Sequence, residues 1–138
     1  MGKSVARRQF HLLPTDEAGL ANRQYEWETV IDGGRRWLIL QKVQLPQGYD
    51  FSEVNIAVEV PQSYPMGELD MFYCDPHLNR IDGKPIPQTQ VIENIEGRGY
   101  QRWSRHRGVL APWRPGADNV LTHLTLIDAA LLREVEDQ

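Results

Sequence analysis

The sequence predicts an α+β fold: a four-stranded antiparallel meander, a long irregular loop and a C-terminal helix. Between residues 25 and 75, apolar side chains recur at every second position and turn residues interrupt them, which is the period of strands. From Val120 the spacing becomes helical, with Val120, Leu124, Ile127 and Leu131 on one stripe. Between these regions, residues 75–116 are punctuated by proline and glycine and hold no sustained period. A chain of 138 residues, 41% hydrophobic and 25% charged, is expected to form one domain over 1–138 with its own core, and residues 1–14 are expected to be flexible.

Each element has a local cause. Tyr25, Trp27, Thr29 and Ile31 alternate, Asp32-Gly33-Gly34 forms a hairpin turn, and Trp37 and Ile39 open the return strand. That strand runs to Leu45 and stops at Pro46. Val54, Ile56, Val58 and Val60 alternate with polar or small residues up to Pro61, a strand with one apolar and one wet face. Leu69, Met71 and Tyr73 make the fourth strand, which Pro76 terminates. The loop 75–116 is expected to hold a turn of helix over 88–95. Pro115-Gly116 precedes the C-terminal helix, and Asp118 suits its cap or first turn.

Composition narrows the function classes. No run approaches the ~18 apolar residues of a membrane span, and no apolar core follows the basic residues at the N-terminus, so neither a span nor a secretory signal is expected. Met1-Gly2 is not a myristoylation signal, since Ala6 stands where Ser or Thr is needed. A cytoplasmic setting follows, in which the lone thiol of Cys74 stays reduced. The net charge of −4 argues against a nucleic-acid binder. Yet Arg98, Arg102, Arg105, Arg107 and Arg114 lie in a stretch without one acidic residue. Together with Trp103 and Trp113 they form a docking patch for an acidic partner or a phosphate, or else they pair with the chain's own carboxylates and cover its aromatics.

The order of motifs is specific. Ser63-Tyr64-Pro65 follows the third strand, Asp75-Pro76-His77 follows the fourth, and Trp113-Arg114-Pro115 leads into the helix. In this order the chain resembles the ubiquitin-conjugating-enzyme superfamily over residues 25–136, with its Tyr-Pro, its proline turn and its Trp-x-Pro. Trp103-Ser104-Arg105-His106 followed by Trp113-Arg114-Pro115-Gly116 is similar to the bacterial branch called prokaryotic family E. The resemblance implies a component of a bacterial ubiquitin-like pathway, with a ubiquitin-like protein and an adenylating activating enzyme as partners and no cofactor. It also implies a catalytic cysteine shortly after Gly83, but Lys84-Pro85-Ile86 fills that slot. The asparagine of the family's proline turn is absent as well.

Cys74 is therefore the one residue able to form a thioester, beside the proline turn. In that role His77 or His106 with the nearby arginines would lower its pKa, or His106 would deprotonate the attacking amine, while Ser104 or Asn79 would donate to the oxyanion. The partner-binding residues would be Arg98, Arg102, Trp103, Arg105, Arg107 and Trp113. The other reading makes Cys74 an inert core thiol sharing a face with Phe72, and the protein a non-catalytic adaptor of the same fold. His123 is expected to pack or cap. Cys74-x-x-His77 is too sparse for a metal site. Gly97-Arg98-Gly99 lacks the context of a phosphate loop, and no nucleophile elbow with a Ser-His-Asp order is visible.

Overall fold

The structure, a computed structural model, describes residues 5–138. Helix α1 (Pro14–Asn22) is followed by strands β1 (Glu26–Asp32), β2 (Arg35–Gln44), β3 (Glu53–Glu59), β4 (Phe72–Asp75), β5 (Ile92–Ile95) and β6 (Arg98–Trp103), and the chain closes with helix α2 (Val120–Val135). One antiparallel sheet runs in the order β1-β2-β3-β4-β6-β5. The α+β class and C-terminal helix are as expected, but the sheet has six strands rather than four. The additional hairpin comes from the loop 75–116, and β5 occupies the stretch where a helical turn was expected. Glu96 and Gly97, both at positive φ (52° and 80°), make its tight turn.

Gly33 and Gly34, also both at positive φ, make the predicted β1–β2 turn. On one sheet face, Val54, Ile56 and Val58 meet Phe72, Cys74 and Trp103 and the stripe Val120, Leu124, Ile127 and Leu131 of α2. The cap of α2 is Asn119, not Asp118: its side chain accepts from Thr122 N (3.0 Å), and Thr122 Oγ1 accepts from Asn119 N (3.0 Å).

The opposite face is not wet. It carries a second cluster of Val30, Trp37, Ile39, Ala57, Tyr73, Ile95 and Tyr100. The sheet curls over this cluster. Arg35 of β2 bonds both Glu59 of β3 and Glu93 of β5, each at 2.9 Å, and Glu96 N donates to Asp32 at 2.9 Å. Trp37 and Tyr73 pack edge to face at 5.3 Å inside the curl.

Residues 7–10 lie along β1. Thr29 exchanges backbone hydrogen bonds with Arg7 and Gln9, and Arg7 bridges Glu28 of β1 to Glu96 of the β5–β6 turn. Residues 1–4 lie outside the described residues. Helix α1 was not expected. It buries Leu20, and its Gly19 sits where a Cβ would collide with Leu121 of α2, so the helices approach closely.

Asp16 joins these parts. Fully buried, it accepts from the Tyr64 hydroxyl (2.6 Å), Leu13 N (3.2 Å) and Val120 N (3.3 Å). Burial raises its carboxyl above the ordinary range. Asp16→Ala is expected to cost about 1–3 kcal/mol in urea unfolding, because Tyr64 loses its buried acceptor. Since the folded-state pKa is raised, the cost of ionised Asp16 is present at neutral pH and is relieved as pH falls through that value toward the unfolded one. In Asp16→Asn, this rise in stability with acidification should vanish from the unfolding curves.

Candidate functional site

The antiparallel pairing of β4 with β6 sets Phe72 opposite Trp103 and Cys74 opposite Gln101. Cys74 also pairs with Ile56 of β3, so it lies inside the sheet with its side chain in the core beneath α2. It is 0% exposed. Burial pushes its thiol up, and the neighbouring Asp75 carboxylate pushes it further the same way. Among the described residues no cationic group offsets them. His77 turns outward and its Nε2 lies 2.9 Å from the Gly99 carbonyl, while His106 bonds Asp70 and Ser104. The structure thus does not bring the expected thiol and its two histidines together.

At the slot after Gly83, Lys84 and Pro85 are exposed and Ile86 is buried in the core, so neither a thiol nor a hydroxyl replaces the absent cysteine. The remaining motifs do meet. Trp113 Nε1 donates to the Pro65 carbonyl at 2.9 Å, and its ring lies 6.2 Å from that of Tyr64. The Tyr64 hydroxyl in turn accepts from Val120 N at the start of α2 (2.9 Å). Tyr-Pro, Trp-x-Pro and the helix start form one packed joint.

Much of the arginine-rich stretch 98–114, whose residues 104–114 leave the sheet after β6 as an arm, is engaged within the chain. Arg98 pairs with Asp75 (3.3 Å), Arg105 with Glu134 (3.9 Å) and Arg107 with Asp118 (3.6 Å). Arg105 lies over Trp103 and Arg107 over Trp113, each 4.9 Å from the ring centroid. Trp103, expected at the partner surface, is 0% exposed, and its indole N–H donates to Gln101. What the arm does present is its tip, where Val109 and Leu110 are each 94% exposed.

Where the arm leaves the sheet, residues before Phe72 face residues after Trp103. His106 Nδ1 lies 3.0 Å from both Asp70 oxygens, and His106 Nε2 lies 3.0 Å from Ser104 Oγ. A cavity of about 230 Å³ opens beside this chain of bonds, lined by Asp70, His106, Arg107, His123, Ile127 and Arg133 among others. His123 is buried with Nε2 on the Met71 carbonyl (2.9 Å), and burial lowers its pKa. Among the described residues its Nδ1 has no partner, nor do Nε and Nη2 of Arg107.

The family model described as Prokaryotic E2 family E matches residues 12–134. The chain belongs to that family. Searches of curated proteins and of solved structures returned no match. The match covers both helices nearly to their ends and all six strands, so the β5–β6 hairpin and the arm lie within the family E domain. No helix of this family E chain is long and apolar enough to cross a membrane among the described residues.

The Ser104–His106–Asp70 contact is what sequence reasoning missed in the family E chain. Ser104 and His106 are both candidates in the sequence, but nothing there links Asp70 to them, because the link depends on the pairing of β6 with β4. The burial of Cys74 has a direct readout. In the native protein its alkylation by iodoacetamide should run about a thousandfold or more slower than in denaturant, since the core must open first. A native rate near that of a free thiol would show that Cys74 is accessible.

Proposed function

We propose that this chain engages a ubiquitin-like protein and its adenylating enzyme as the E2-like component of a prokaryotic pathway, without holding a thioester on Cys74. The observation that carries this reading is the complete burial of the sole thiol in a site that disfavours the thiolate. Family membership supports the pathway. The docking surface in this reading is the tip of the arm, with Val109 and Leu110 exposed and Arg105 and Arg107 stacked behind them on tryptophans.

A second reading, thioester transfer through Cys74 to an amine, is favoured by the place of Cys74 directly before the proline turn. It requires β4 to open, because the thiol lies between paired strands.

The test mixes the protein with ATP, the ubiquitin-like protein and its activating enzyme, then reads intact mass and co-elution. The expected result is co-elution without a reductant-labile adduct. A reductant-labile adduct that disappears in Cys74→Ala would establish the second reading instead. Val109→Asp with Leu110→Asp should weaken co-elution at least tenfold while leaving the unfolding midpoint in place, given roughly 1.5–3 kcal/mol per apolar side chain buried at an interface. Absence of co-elution in the wild type would overturn the docking role.

A further inference from the structure

Asp70 and His106 line the cavity beside β4, and with Ser104, which bonds His106, they have no part in the docking surface. Asp70 is an acceptor toward His106, so Nδ1 of the ring carries the proton and Nε2 is left to accept from the Ser104 hydroxyl. The three side chains form a relay in which a hydroxyl faces a general base and a carboxylate fixes the base's tautomer. Its parts are held. Ser104 directly follows the fully buried Trp103, and its backbone N–H donates to the Gln88 carbonyl at 3.1 Å. Arg107 is nine-tenths buried along its side chain, lines the same cavity as His106, and has two N–H-bearing nitrogens with no partner among the described residues. A buried guanidinium with unmet donors, lining the cavity that the general base also lines, suits an acyl oxygen on which charge develops.

We propose that Ser104 is an acyl-accepting nucleophile, with His106 as its base, Asp70 as positioning residue and Arg107 as donor to the acyl oxygen. Its substrate is an activated carboxyl carbon, a thioester or an acyl adenylate, presented to Ser104 from the exposed side of the Ser104–His106 contact. Ser104 Oγ bonds to the acyl carbon while the C–S or C–O(phosphate) bond breaks. The Ser104 proton passes to His106 Nε2 and on to the leaving thiolate or phosphate. Water or an amine then attacks the oxyester; His106 takes its proton and returns one to Ser104 Oγ. With the acyl group supplied by the ubiquitin-like protein, this site rests on the docking role proposed above, but its reactivity can be read without any partner.

The experiment treats the purified full chain with a fluorophosphonate probe, which loses fluoride to an activated serine, and maps the label by mass spectrometry. A single label at Ser104 is expected, gone in Ser104→Ala and slowed at least tenfold in His106→Gln and Asp70→Asn with unfolding midpoints unchanged. No label at Ser104 in the wild type, or equal rates in wild type and His106→Gln, overturns the site. With ATP and both partners present, the site predicts an adduct that survives reductant, is released by hydroxylamine and is lost in Ser104→Ala. Co-elution without label or adduct overturns the acyl site and leaves the docking role standing. A Ser104 label without co-elution supports the site and overturns the pathway role.

Discussion

The packing of Phe72 on Trp103 is the constraint from which the rest of the functional region follows. The rings stack with centroids 5.2 Å apart, and both are buried. Such a pair adds about 0.5–1.5 kcal/mol beyond the area it hides. It fixes β6 against β4, which places Cys74 inside the core on one side of the pair. On the other side it sets the lead-in residue Asp70 beside the exit residues Ser104 and His106. Gln101, buried two residues before Trp103, reinforces the pairing. Its side chain accepts from Trp103 Nε1 and Leu78 N, and donates to the Leu78 carbonyl, so no polar atom of that side chain is wasted. The exit of the proline turn is thereby tied to the same strand.

The legible parts of the chain were those with a repeated period. The β1–β2 hairpin and α2 each repeat their apolar residues several times, and their turns or stripe came out as expected. The β5–β6 hairpin was hidden because β5 has four residues, of which one is buried. Helix α1 was hidden for a similar reason: it commits Leu20 and Asp16 to the interior and has almost no apolar stripe. The site inherited this loss. Asp70 and His106 stand 36 positions apart, and nothing in either local sequence relates them until β6 is known to pair with β4. The shared face of Phe72 and Cys74 was visible in the alternation of the fourth strand, and that face proved to be the core.

The arginines show how a local sequence field is neutralised by topology. The acid-free stretch from Arg98 to Arg114 is strongly basic on paper. Folding brings Asp75, Glu134 and Asp118 to it from β4 and from the two ends of the α2 region. A guanidinium placed over an indole keeps its planar donors available while shielding the ring from water. The exposed tip of the arm is apolar, made by Val109 and Leu110.

An open strip of strands ends in two rows of unpaired amides, each a template on which another chain can add a strand. In this protein the curl carries the two ends of the strip toward each other on one side, where Arg7 and Arg35 act as clasps between non-adjacent strands. Residues 7–9 occupy the flank of β1 as well. The molecule thus obtains much of the protection of a barrel while its last hydrogen-bonded seam stays unformed, with ion pairs standing in for the missing ladder.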